Sequence, residues 1–352
     1  MQAVLGFATP MPDELPADRP PRRIRYRGKN PRRFEEKYKE HQPGRYSETV
    51  AKVIASGKTP AGSHRPIMVA EVLDALNPQP GQIAVDCTLG FGGHAQEILS
   101  RLQPWGRLIG LDADPIDLPK TEARLRALRF DENTFTAHRT NFAGLPQLLA
   151  REGLGGVDVV LADLGVSSMQ LDDPKRGFSL KHEGPLDLRM NPERGWPARM
   201  LLEKLSAERL TRLFLENSDE SNPELVSRLA GRTFRTTLEL AGAIRDALPT
   251  LKEEERELSV RRVFQALRIA VNDEFSALDT FLRNLPHCLK PGARVAVLTF
   301  HSGEDRRVKK AFEHGQREGH YSEISGGVVR PDAEECRANP RATSAKLRWA
   351  RR

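Results

Sequence analysis

The chain is poor in cysteine, poor in aromatic residues and without a long apolar run. Its three cysteines, Cys87, Cys288 and Cys336, are scattered. That spacing makes neither a disulfide framework nor a thiolate metal site, and it points to a reducing compartment, with the cytoplasm as the expected location. No apolar stretch approaches the roughly 18 residues of a membrane span, so no membrane partner is expected. The N-terminus lacks a basic stretch followed by an apolar one, so no secretory signal is expected. No histidine, cysteine or acid cluster has metal-ligand spacing, and no Ser/His/Asp or Cys/His nucleophile arrangement is visible. What remains is an ordinary globular composition. Hydrophobic residues make up 38% of 352 positions, with 27 glycines besides. Such a chain can bury a core, and its length predicts about two domains.

Charge is unevenly placed. Residues 1–62 hold 13 Lys/Arg against 7 Asp/Glu, and residues 337–352 hold 6 Lys/Arg and no acid. The stretch between them is net −5. Basic ends on a mildly acidic body suit phosphate contacts with a nucleic acid, and they equally suit simple solubilisation. Residues 1–62 read as a basic N-terminal extension, partly disordered, with short helices around 33–40 and 47–56. Tyr26, Phe34, Tyr38 and Tyr46 are interleaved with its basic residues. These rings could stack on unpaired bases or pack the short helices onto the body.

From His64 the pattern alternates. Helical spacing over Ile67 to Leu76, His94 to Leu102, Lys120 to Leu128 and Pro146 to Glu152 is interleaved with four strand candidates. These are Ile83 to Val85, Arg107 to Leu111, Thr134 to His138 and Val157 to Ala162. Such alternation predicts an α/β fold with a parallel sheet. It breaks over 172–262, where helical signals dominate: Ala198 to Leu205, Ala207 to Leu215, the Asn222-Pro223 start and the Thr236-x-x-Glu239 capping box. A long helix Val263 to Leu285, a strand Arg294 to Phe300, a helix Asp305 to His314 and a last strand near Lys346 to Trp349 follow. The expected division is 1–62 extension, 63–171 first part of the core, 172–262 inserted helical substrate-recognition subdomain, and 263–352 second part of the core.

The turn after the first strand carries Gly90-x-Gly92-x-x-Ala95, and Asp112 follows 20 residues past Gly92 at the end of the second strand. Glycines admit a ligand close to the backbone, and a carboxylate at that strand end can take both hydroxyls of a ribose. NAD and S-adenosylmethionine both fit. Asp86, ending the first strand, would oppose a pyrophosphate and suits the ammonium end of S-adenosylmethionine. Asp163, ending the fourth strand, sits where such sheets bind ligands. His64 and His301 fall near element ends on the same side, where a hydrogen-bonded structural role is expected. Asn272-Asp273-Glu274 interrupts the long helix and could line the cleft, form a hinge or belong to a buried polar network.

The matching stretches then extend along the chain: Asp86-x-Thr88-x-Gly90-x-Gly92-Gly93-His94, Asp163-Leu164-Gly165-Val166-Ser167-Ser168, Arg176-Gly177-Phe178-Ser179, Gly184-Pro185-Leu186-Asp187-x-Arg189-Met190, Phe264-Gln265-Ala266-Leu267-Arg268-Ile269-x-Val271-Asn272-x-Glu274, Phe300-His301-Ser302-x-Glu304-Asp305-Arg306 and Asn339-Pro340-Arg341 through Arg348. In this order, over about residues 64–352, the sequence resembles the bacterial 16S rRNA cytosine-N4 methyltransferase family (RsmH/MraW). The resemblance implies a Rossmann-like methyltransferase core using S-adenosylmethionine, with a helical insertion. It implies a substrate cytidine in the decoding region of small-subunit rRNA, as naked RNA or in the small ribosomal subunit. It implies cofactor contacts at Gly92, Gly93, His94, Asp112, Phe142, Asp163 and Gln170. Asp163 is also the candidate catalytic group. Arg176, Phe178, Asp187 and Arg189, placed after the fourth strand, are the candidate substrate residues, with a loop held by internal ion pairs as the equal alternative. Methylation of another RNA or DNA, and a cofactor-binding assembly role without turnover, are the alternatives. Four departures stand out: the basic segment 1–62, expected to lie outside the family's core, the poor match over 216–235, Leu258-Ser259-Val260-Arg261-Arg262 in place of a His-Pro stretch, and Gly303 in place of leucine.

Overall fold

The computed structural model describes residues 66–352. The expectations for residues 1–62 and for His64 lie outside the described residues. The alternating region folds into parallel strands β1 (Ile83–Asp86), β2 (Arg107–Asp112), β3 (Phe135–Arg139) and β4 (Val157–Asp163), joined by helices. β5 (Leu289–Thr299), β6 (Glu323–Ile324) and β7 (Lys346–Arg351) complete a seven-stranded sheet in the order β3-β2-β1-β4-β5-β7-β6. β7 runs antiparallel to both neighbours, while β1 to β5 are parallel. Strand order reverses between β1 and β4, which opens a crevice at their carboxyl ends.

The period-2 alternation of strand side chains sorts the core into two layers. Along β5, Val295 and Val297 face one layer, with Phe281 and Phe312; Ala296 and Leu298 face the other, with Met68, Ile98 and Leu99. β4 does the same from Val159 onward, after a register shift between Val157 and Val159. Fully buried runs of this kind are what a parallel sheet covered on both faces requires.

After β4 the chain leaves the sheet through Gly165, whose φ of +100° favours glycine. It enters a third packed layer that includes helices Ala198–Lys204, Ala207–Ser218, Pro223–Leu229 and Thr237–Ala247. Local chemistry sets their starts. Asn222 accepts from the Glu224 N–H at 3.0 Å, and Thr236 and Glu239 close a reciprocal capping box. The layer ends with helix Glu253–Asn272, which buries Val260, Val263, Phe264 and Leu267 against the other helices.

Two expectations change here. The single long helix expected from Val263 to Leu285 is two helices, Glu253–Asn272 and Glu274–Cys288, broken at Asp273. Asp273 adopts φ +51°, ψ +40°, a left-handed conformation that aspartate tolerates better than most residues. The first helix belongs to the helical layer; the second packs Leu278, Phe281 and Leu285 on the sheet. The division expected at 262 therefore falls inside a continuous helix, and the change of packing partner comes at 273. In addition, β5 begins at Leu289, not Arg294, because the Pro291-Gly292 turn is carried within the strand.

Candidate active site

The site is built where β1, β2 and β4 end. The turn after β1 holds Gly90 at φ +48° and Gly92 at φ +76°. A Cβ on Gly93 would lie 2.9 Å from Pro66 Cγ, so glycine lets the two segments close. The Asp112 carboxylate accepts from the Gly90 N–H at 2.7 Å and the Asp114 N–H at 2.8 Å. It thereby ties the glycine turn to the end of β2. His94 Nε2 donates to the Ile67 carbonyl at 2.9 Å, which leaves Nδ1 as a bare lone pair. Burial lowers its pKa to about 4, so the ring is neutral. That Nδ1 stands 3.6 Å from Asp163 Oδ2, too far for a hydrogen bond.

The strand-end acids are short of positive charge. Asp163 is pushed up to about 8, first by burial and then by Asp86 and Glu304. Its Oδ1 is buried without a hydrogen-bond partner. Asp86 is pushed up to about 7, mainly by burial, even though it accepts from the Thr88 N–H at 3.1 Å. Asp112 rises to about 6, again mainly through burial. All three face one cavity of about 570 Å³. Three carboxyl groups in poor contact with water and counter-charge suit a cationic ligand.

The cavity also meets His94, Phe142, Gln170 and Phe178. Phe142 opens a short turn capped by Asn141 and packs edge-on to Phe281, 5.5 Å between ring centres. The Gln170 side chain is fully engaged. Its amide oxygen accepts from the Ser167 N–H at 2.9 Å, and its amide nitrogen donates to Asp114 Oδ2 at 2.7 Å. Gly92, Gly93, Asp112 and Asp163 line the same space, so all seven expected cofactor positions converge.

The four substrate candidates separate. Phe178 lines the cavity; Arg176, Asp187 and Arg189 do not. Arg176 is 7% exposed. It donates to Asp114 Oδ2 at 2.8 Å and to the Met190 and Arg189 carbonyls at 2.8 and 3.3 Å. Arg189 and Asp187 pair two-pronged at 2.7 and 2.8 Å. These three side chains hold a loop whose Leu188 and Met190 form cavity wall.

Helix Glu253–Asn272 supplies the facing wall. Arg261, Phe264, Gln265, Arg268 and Asn272 all line the cavity at helical spacing. Asn272 clasps the loop from both sides: it accepts from the Met190 N–H at 2.7 Å and donates to the Leu188 carbonyl at 2.7 Å. Arg268 pairs with Glu274 through two 2.8 Å bonds and lies 4.0 Å from Glu304. Glu304 also accepts from the Phe300 N–H at 2.9 Å and sits 3.1 Å from His301 Nε2. The departure at Gly303 now has a reason: a Cβ there would lie 2.7 Å from Phe275 Cζ, so glycine admits that ring beside His301. Arg268, Glu304 and Asp114 were not singled out in the sequence. The repeated acid in Asp112-Ala113-Asp114 was the available signal for the last.

A switch-point cavity rimmed by acids, on a sheet whose seventh strand turns antiparallel, defines a Rossmann-like methyltransferase. The model of the MraW methylase family matches residues 61–352, and the chain belongs to that family. Ribosomal RNA small subunit methyltransferase H 1 of Lachnoclostridium phytofermentans is 50% identical over 339 residues, covering 94% of this chain and 92% of that protein. Ribosomal RNA small subunit methyltransferase H 2 of Alkaliphilus metalliredigens is also 50% identical over 339 residues, covering 94% and 97%. Ribosomal RNA small subunit methyltransferase H of Halorhodospira halophila is 41% identical over 320 residues, covering 85% and 97%. Coverage of 94% necessarily carries the first two matches into the segment before residue 61.

Proposed function

We propose that the protein methylates N4 of a cytidine in the decoding region of small-subunit (16S) rRNA, in the cytoplasm, using S-adenosylmethionine. The observation that carries this reading is the acid-rimmed cavity in a chain of the MraW methylase family. The residues fit the donor. Asp86 and the unpartnered Asp163 oxygen offer negative charge for its ammonium and sulfonium. Asp112, with lone pairs beyond its two backbone bonds, accepts from ribose hydroxyls. Gly92 and Gly93 admit it against the backbone, while His94, Phe142 and Gln170 supply walls. Bound there, S-adenosylmethionine supplies an electrophilic methyl group.

The chain's own residues align and deprotonate. Cytosine's amine is conjugated with its ring and is a weak nucleophile, so positioning is the main requirement. A base must leave its stack to reach the cavity, and the Phe178 ring offers it an apolar face. Asp163, with a side chain 30% exposed and one oxygen without a partner, is the candidate acceptor at the end of β4. As a carboxylate it would accept a hydrogen bond from the amine and take the proton released as the N–C bond forms and the donor's methyl–sulfur bond breaks, the sulfur leaving as a neutral thioether. Arg176, Asp187, Arg189 and Asn272 act at one remove, by fixing the loop that carries Leu188 and Met190.

The test is mass spectrometry of ribonucleosides from small ribosomal subunits that lack the modification. They are incubated with the protein, with and without S-adenosylmethionine. N4-methylcytidine arising only with the donor is the expected result. No methylated nucleoside from protein that still binds the donor overturns the reading.

A further inference from the structure

We propose that Arg261 binds a backbone phosphate of the RNA strand beside the target nucleotide, a contact that rests on the RNA reading above. Five residues of helix Glu253–Asn272 line the cavity, and four are committed. Phe264 is buried. Gln265 donates to the Asn217 carbonyl at 3.1 Å. Arg268 is held by Glu274, and Asn272 by the 188–190 loop. Arg261 is exposed and makes no hydrogen bond or ion pair.

Its helical neighbour one turn back gives it no bond. Glu257 is gripped two-pronged by Arg245, at 2.5 and 3.2 Å, and Arg261 acts on it only as a nearby charge. Arg341, which also lines the cavity, is paired with Asp172 at 2.8 Å. Among the described residues, Arg261 is therefore the cavity-lining cation without a bonded partner. Placement decides what it can take. Deeper in the cavity stand Asp86, Asp112, Asp163 and Glu304, which repel an anion. A polyanionic strand can send a neutral base inward only while its phosphates stay outside, at the mouth. A guanidinium presents a donor fork that matches phosphate oxygens. This position also lies in Leu258-Ser259-Val260-Arg261-Arg262, one of the stretches that depart from the pattern of the resemblance.

The experiment compares wild type, R261Q, R261K and R101Q in methylation of unmodified small subunits at several salt concentrations. Arg101 is exposed, pairs with Glu97 and ends helix Gly93–Leu102, at the opposite end of the sheet from the cavity. For R261Q the expected result is a several-fold rise in KM for the subunit with the loss absent from kcat. The slope of log(kcat/KM) against log salt should become shallower by about 0.7, the share of one single-strand phosphate. R261K should recover part of KM, and R101Q should match wild type. Unchanged KM and salt slope in R261Q overturn the assignment, as does an equal change in R101Q. Wild type that methylates no subunit overturns the RNA reading itself, a different outcome from active wild type with indifferent R261Q.

Discussion

Arg176 is the place where the structure decides between two roles that the sequence left open, and the difference is measurable. R176M removes the guanidinium while keeping much of its apolar length. Asp114, 1% exposed, then retains the Ile116 N–H at 2.8 Å and the Gln170 amide at 2.7 Å but loses its counter-charge. The Arg189 and Met190 carbonyls lose a donor as well. Breaking a buried pair from one side typically costs about 3–5 kcal/mol, mostly from the stranded charge. Urea unfolding of R176M should therefore show a loss of about that size. D114N/R176M, which removes both charges, should recover part of it. A loss under about 1 kcal/mol would refute this reasoning. Unchanged stability together with lost RNA affinity would return Arg176 to the substrate.

Four further outcomes follow from the site's geometry. In D112N an amide has one accepting atom, so the Gly90 or the Asp114 N–H loses its partner; S-adenosylmethionine affinity by calorimetry should fall by about 1.5–3 kcal/mol, and unchanged affinity would remove Asp112 from the site. Asp163 rests near pKa 8 in the free protein, and a cationic ligand favours its carboxylate, so binding should release a proton, affinity should climb as pH rises towards 8, and D163N should flatten the climb. The same shift has the opposite sign for folding: a carboxyl that binds its proton more tightly when folded lowers the stability of the free protein as pH rises from about 4 to about 8, which D163N should relieve in thermal melts. G92A must hold φ +76° with a Cβ 2.9 Å from Thr121 Cγ2, so melting should show a loss of at least about 1–2 kcal/mol; wild-type stability would mean the turn relaxes.

The parts legible in the sequence are those written in adjacent residues. Strand–helix alternation, the glycine turn, the acids ending β1, β2 and β4, and the Thr236 capping box are patterns of short range, and each sits where its spacing put it. The Arg176–Asp114 pair spans 62 positions and leaves no periodic trace, so the sequence left a substrate arginine and one held by an internal ion pair on equal terms. Arg268 and Glu274 are six apart, a spacing that cannot meet on an unbroken helix. They meet because the helix breaks at Asp273, and no glycine or proline marks that break. Gly303 was visible as a departure, but its reason is Phe275, 28 positions away.

The exit at Gly165 and the return at Asp273 have a consequence for inheritance. The Leu164 N–H bonds the Leu298 carbonyl at 3.0 Å; Gly165 lies against Phe300; Phe275, two residues past the return, packs 5.7 Å from His301. The chain thus leaves and re-enters the sheet at the same corner, between the ends of β4 and β5. The backbone between enters and leaves by two neighbouring stems, as an inserted unit does in proteins that accept insertions, while Gln170 and Arg176 tie its first turns to Asp114. Substitutions on the outer faces of that layer touch no strand pairing. The helical layer can therefore change at one pace while the strands that carry the acids are held at another.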